Sequence, residues 1–195
     1  AVPGRVALID PVAIPALDRL ARALADRELI LHSASEDLEV LEQNLGLRPQ
    51  QLFDTQIAAQ FLSTAPATSL KSLLEQRLGV ELDKGESRSD WLKRPLSPAQ
   101  LSYAVADVLH LLPLAEQLRR ELEARGLLAA AREECARLLA RSGRAETQPQ
   151  QRYRRLDLLD EGQQRKLRRL LLRRDEIAQA RDRPRGWILD NALAW

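Results

Sequence analysis

Tyr103 and Asp107 stand four residues apart in the stretch Ser97–Leu112, SPAQLSYAVADVLHLL. Residues four apart are neighbours on one face of an α-helix, so a phenol and a carboxylate would lie side by side there. Held on a rigid helix, such a pair can position a metal ion and a water. It can equally be part of a solvated polar face, because Y-x-x-x-D is a short pattern. The helix itself is well signalled. Ser97 and Gln100 form a capping-box pattern, and Pro98 takes a first-turn position that tolerates proline. At about 100° per residue, Leu101, Val105, Val108 and Leu112 share one side, with Tyr103, Asp107 and His110 roughly opposite.

A third oxygen-bearing candidate is Asp37, in the first turn of a helix expected over 33–43. Ser33 and Glu36 fit a capping box there, and Gly46 fits a C-terminal cap. An acid in a first turn is also ordinary helix-dipole chemistry, worth ~0.3–1 kcal/mol. Asp54 reads as the N-cap of a helix running to about Leu62. Asp10, Asp83 and Asp90 read as turn or cap residues in the same way. His32 ends a strand and reads as a core histidine. Cys135, the single cysteine, lies on an apolar stripe with Leu127, Ala131 and Leu138 and reads as a small core residue.

The elements that must position these groups are mostly helices. Strands are expected near 5–9, 28–32 and 51–54. Helical periods run from Ile14 to Arg27, Thr68 to Leu78, and onward from the Tyr103 helix, interrupted at Pro113, to Arg125-Gly126. Another spans Leu127 to Leu139. Residues 141–152, rich in Gln with Gly and Pro, read as a linker. Beyond it, Leu167, Leu170, Leu171, Ile177 and Ala178 mark one amphipathic helix surrounded by arginines, with Pro184 at its end. The final ILDNALAW would begin another.

With 45% hydrophobic and 30% charged residues in 195, the chain can bury a core and is not a disordered polymer. One cysteine excludes a disulfide framework and a cysteine-based zinc site. No apolar run is long enough to span a membrane, and AVPGRVALIDP lacks the pattern of a signal peptide, so a cytoplasmic protein is expected. Charge is uneven. Residues 1–100 carry 11 basic and 14 acidic side chains, whereas 151–195 carry 12 and 7. A basic tail suits a polyanion partner, although a solvated arginine-rich face has the same composition.

Together these pieces resemble bacterial ribonuclease D, of the DEDD superfamily of 3′–5′ exonucleases. LHSASEDLEVL (31–41) is similar to the family's second motif, with Asp37 its acid, and FDTQIAAQFL (53–62) to the passage after it. LDKGESRSDWLKRPLSPAQLSYAVADVLHLLPL (82–114) is similar to the segment ending in the third motif, and Tyr103 places it in the tyrosine-bearing branch. YRRLDLLDEGQQRKLRRLLLRRDEIAQARDRPRGWILDNALAW (153–195) resembles the opening of an HRDC domain. The first motif, an Asp-x-Glu on the first strand, is not found before Asp10.

The resemblance implies an α/β fold, an RNase H-like exonuclease core lacking its first strands, over residues 1–140. A linker (141–152) and a partial helical HRDC domain (153–195) would follow. It implies two divalent ions, Mg²⁺ or Mn²⁺, with Asp107 holding the ion that activates water and Asp37 supporting the second. Tyr103 would orient the attacking water, and the missing Asp and Glu would bridge both ions. Arg88, Lys93 and Arg94, near Trp91, and Arg168 and Arg169 in the tail would contact RNA, with tRNA precursors as the substrate and no membrane. The parent would be a monomer. The chain as it stands would be inactive, or nearly so. Its incomplete sheet would leave apolar surface exposed, giving poor stability or association. The alternatives are a non-catalytic RNA-binding relative that lost the first motif, and a generic helical interaction protein.

Overall fold

A computed structural model describes residues 5–63, 68–82, 85–86, 89–142, 148–153, 156–181, 183 and 185–189. The chain divides into two compact units, Ala1–Gly143 and Arg144–Trp195.

In the first unit, α1 (Asp18–Ala25), β1 (Glu28–Leu31), α2 (Ser35–Leu45) and β2 (Gln51–Asp54) are followed by five helices. These are α3 (Thr55–Leu62), α4 (Leu70–Leu78), α5 (Pro98–Leu109), α6 (Leu111–Ala124) and α7 (Leu128–Arg141). β1 and β2 pair in parallel, with Leu29 opposite Leu52, Ile30 opposite Phe53 and Leu31 opposite Asp54. A parallel pair needs a crossover, and α2 supplies it. Successive strand residues point to opposite faces, so Phe53 and Leu52 feed different cores. Phe53 packs with Ala58, Leu62, Leu73, Leu74 and the buried stripe Leu114, Ala115, Leu118 and Leu122 of α6. Leu52 packs with Ala34, Leu38 and Cys135. Cys135 is therefore the core residue its stripe suggests.

Local signals decide the helix ends. Gly46 and Gly79 adopt φ of 61° and 66°, where glycine meets no Cβ penalty, and close α2 and α4. α5 and α6 break at His110. Pro113 has no N–H for the carbonyl of Leu109, which is why the helix is interrupted there.

Two expectations fail. The 5–9 segment shows only an isolated bridge at Arg5 among the described residues, and Leu8 and Ile9 are each 45% exposed. A strand needs a ladder partner as well as β-prone residues. The Ser33–Glu36 capping box does not form either. Ala34 is the N-cap of α2 with no side-chain cap, and Ser33 sits at φ 60°, in the left-handed region. Its N–H serves Asp54 instead.

The second unit contains short 3-10 turns at Pro149–Arg152 and Leu156–Leu158, then α8 (Glu161–Ala180) and α9 (Arg185–Ile188). The Pro149–Arg152 turn, inside the stretch read as linker, packs against α8. Asp160 and Gln163 close a capping box at the start of α8, and Leu167, Leu171 and Ala178 form its buried stripe. Most of ILDNALAW lies outside the described residues. Among the described residues no helix is long and apolar enough to cross a membrane.

Candidate active site

α5 begins with the expected capping box. The Gln100 N–H donates to Ser97 Oγ at 3.1 Å, and the Ser97 N–H donates to Gln100 Oε1 at 2.9 Å. From that fixed start, residues 103 and 107 fall one turn apart, both half-buried, with the Tyr103 phenol beside the Asp107 carboxylate. Burial raises the Asp107 pKa above the usual carboxylate value, and the Tyr103 hydroxyl beside it partly offsets that rise. Burial, and then the neighbouring Asp107 carboxylate, raise the Tyr103 pKa. Tyr103 therefore keeps its proton at neutral pH. It can orient a water or an anion but is a poor base. The ring of Trp91 lies 5.9 Å from that of Tyr103, tilted by 52°.

Asp37 occupies the first turn of α2 with an exposed side chain. Partial desolvation, then the charges of Glu36 and Asp54, raise its pKa. The turn that carries it is held from β2. The carboxylate of Asp54, 2% exposed, accepts the N–H groups of Ser33 at 3.1 Å and Ala34 at 2.8 Å. It also accepts those of Gln56 at 2.8 Å and Ile57 at 3.3 Å. One buried anion thus serves the N-termini of both α2 and α3, satisfying donors that a helix leaves unpaired. The Asp54 N–H in turn donates to Cys135 Sγ at 3.4 Å. The sequence signal reached only the α3 half of this arrangement. The α2 half depends on a partner about twenty residues away, which no local pattern reports.

His32 is half-buried rather than a core residue, and it is held at one ring nitrogen. Its Nδ1 lies 2.9 Å from Thr55 Oγ1, which itself donates to the Leu31 carbonyl, so Nδ1 carries the proton. Burial lowers its pKa and keeps the ring neutral. Asp10 and Asp90 are turn residues, accepting the N–H groups of Val12 and Leu92 at 3.0 Å each. Asp83 and Arg88 lie outside the described residues. His110 marks the α5–α6 junction.

Tyr103 and Asp107 are brought together, whereas the charged neighbours of Asp37 are Glu36 and Asp54. Two carboxylates and a phenol offer the hard oxygens that Mg²⁺ or Mn²⁺ prefer. Yet among the described residues no three of His, Cys, Asp or Glu converge to hold a metal ion, so these residues by themselves do not make a metal site. Lys93 is exposed. Arg94 is engaged within the chain, through a forked pair with Asp10 at 2.7 Å. In the second unit, Arg169 is exposed and Arg168 half-buried on α8.

Residues 2–123 match the profile of a 3′–5′ exonuclease family. The chain is 40% identical to ribonuclease D of Xanthomonas oryzae over 199 positions, covering 100% of this chain and 54% of that protein. It is 47% identical to ribonuclease D of Escherichia coli over 132 residues, 67% of this chain and 35% of the other. Among solved structures, Escherichia coli RNase D, described as an exoribonuclease involved in structured RNA processing, is similar at 37% identity. It superposes with a TM-score of 0.70 over 93% of this chain and 49% of that one. Brucella melitensis NrnC with bound Mg²⁺ is similar at 35% identity, with a TM-score of 0.57 over 63% of this chain and 60% of the other. The chain spans about half the length of the curated relatives it matches.

Proposed function

This chain belongs to the 3′–5′ exonuclease family, on its ribonuclease D branch and with that family's α/β, RNase H-like fold, and from that premise we propose what it does. It is part of a divalent-metal-dependent exoribonuclease that shortens RNA from the 3′ end and trims tRNA precursors. The observation that carries this reading is the adjacent Tyr103–Asp107 pair on a capped helix, in the segment that resembles the family's third motif.

Hydrolysis puts the oxygen of water on phosphorus and breaks the bond to the 3′-oxygen, releasing a nucleoside 5′-monophosphate. A divalent ion would supply charge relief for the phosphate and acidify the water. The described residues do not by themselves complete such a site. Asp107 contributes a partly desolvated carboxylate. Tyr103, protonated and beside it, directs a water by hydrogen bonding. Asp37 adds a second carboxylate on the α2 turn that Asp54 holds. Lys93, and Arg168 and Arg169 on α8 in a segment resembling an HRDC domain, would bind phosphates and make RNA affinity fall steeply with salt.

The test uses the full-length protein and a 5′-labelled RNA. Stepwise shortening with Mg²⁺, abolished by EDTA and by a blocked 3′ end, is expected. The absence of a converging donor set among the described residues favours one competing reading, a non-catalytic RNA-binding relative. RNA binding without shortening would establish that reading instead.

A further inference from the structure

Asp10 and Arg94 are 84 residues apart, yet they form a two-pronged pair. Arg94 Nε donates to Asp10 Oδ2 and Nη2 donates to Oδ1, both at 2.7 Å. An exposed ion pair is ordinarily worth little, about 0–1 kcal/mol, but a forked geometry fixes direction as well as distance. Both partners are also tied locally. Asp10 takes the Val12 N–H on Oδ1, and its carbonyl takes the N–H groups of Ala13 and Ile14, so it sits on a closed turn. Arg94 Nη1 donates to the carbonyls of Trp91 at 2.7 Å and Lys93 at 3.0 Å. The guanidinium therefore grips the 91–94 turn from one side and Asp10 from the other.

Trp91 is held at its far end as well. Its Nε1 donates to the Glu86 carbonyl at 3.1 Å. Gln100, in the first turn of α5, donates from Nε2 to Ser89 Oγ at 3.1 Å and to the Asp90 carbonyl at 3.0 Å. The segment before α5 is thus bound to the helix at Gln100 and to the Asp10 turn at Arg94. Trp91, between those ties, presents its ring to Tyr103. A tilted ring contact restricts how the phenol can turn, and with it the direction of the hydroxyl toward Asp107.

We propose that the Asp10–Arg94 fork is a clamp that seats Trp91 against Tyr103, making Asp10, Arg94 and Trp91 positioning residues for the Tyr103 hydroxyl. Arg94 thereby acts inside the protein rather than as a phosphate contact. The catalytic consequence rests on the exonuclease reading of Tyr103, but the geometry does not, and the two are tested separately.

The chain has two tyrosines, Tyr103 and Tyr153, so ring-labelled tyrosine gives a simple NMR spectrum. Trp91→Leu should remove the ring-current displacement of the Tyr103 signals. Asp10→Asn and Arg94→Gln, at residues whose hydrogen bonds go to each other and to backbone rather than to Tyr103, should move those signals toward their Trp91→Leu positions while Tyr153 stays in place. Asp10→Glu should restore them in part. In the full-length protein, Asp10→Asn should lower kcat roughly tenfold with KM unchanged, the signature of a misdirected group. The clamp is overturned if Tyr103 is unmoved in Asp10→Asn and Arg94→Gln while circular dichroism shows both folded. It is equally overturned if Arg94→Gln weakens RNA binding and leaves Tyr103 unmoved. The Tyr103 signals report on the clamp whether or not the full-length protein cleaves RNA.

Discussion

The carboxylate of Asp54 accepts the N–H of Ala34 at 2.8 Å, and that contact ties the end of β2 to the start of the helix bearing Asp37. Three further N–H groups converge on the same carboxylate. Asp54→Ala would leave four donors at two helix starts without an acceptor. Since a hydrogen bond to a charged group contributes about 1.5–3 kcal/mol, a loss of roughly 3 kcal/mol or more is expected in urea unfolding. A loss below about 1 kcal/mol would show that water or a rearranged loop replaces the carboxylate.

Cys135 takes the Asp54 N–H on sulfur, is 1% exposed, and has its pKa raised above the usual thiol value chiefly by burial. A buried, protonated thiol is a poor nucleophile. Aromatic disulfide reagents at pH 8 should leave the native chain unlabelled and label it fully in urea, at the rate of unfolding. Rapid labelling of the native chain would contradict this packing.

Acid should open the Asp10–Arg94 fork late. The Arg94 guanidinium holds the Asp10 carboxyl at about 2, against an ordinary 3.8. A lowered carboxyl stabilises the fold above its unfolded value, and that contribution is lost as pH falls from about 4 toward 2. The Arg94 Nε signal followed by NMR should change only in that window. The shifts of Asp37 and Asp107 have the opposite sign. A raised carboxyl favours the fold below its ordinary value, and this is lost as pH rises through the folded value. If, as proposed, both carboxylates help to hold a divalent ion in the full-length protein, its binding should weaken at a higher pH than ordinary carboxylates would allow. Binding that held undiminished at pH 4 would argue against it.

Leu101 and Leu109 of α5 are 41% and 45% exposed, and Val12 and Ile14 also face solvent. An uncovered apolar surface favours self-association. Sedimentation of this 195-residue chain should show mass rising with concentration. A monomer with a cooperative melt would contradict that.

What was legible in the sequence was local. Ser97 with Gln100, and glycine at 46, act within one helical turn, and each forms as its spacing predicts. Asp160 with Gln163 carries an equally local signal. Ser33 with Glu36 has the same spacing as Ser97 with Gln100 but fails, because the Asp54 carboxylate takes the Ser33 N–H and the backbone turns left-handed. The 5–9 segment has β-prone residues, but no local pattern supplies the ladder partner a strand requires. Within the site, the Tyr103–Asp107 pair follows from a four-residue spacing. The seating of Trp91 on Tyr103, the Asp10 clamp and the second half of the Asp54 cap join residues 12, 84 and 20 positions apart, distances at which spacing carries no information.

The role of Asp107 is decided by the rate of 3′-end RNA shortening in the full-length protein with Asp107→Asn, at saturating RNA and Mg²⁺, beside the unaltered enzyme. If Asp107 is a carboxylate of the reacting centre, the rate should fall on the order of a hundredfold or more with RNA affinity unchanged, since neutralising it removes charge where the reaction needs it. A rate within about threefold of the unaltered enzyme, again with affinity unchanged, would contradict the assignment and return the Tyr103–Asp107 pair to a solvated helix face.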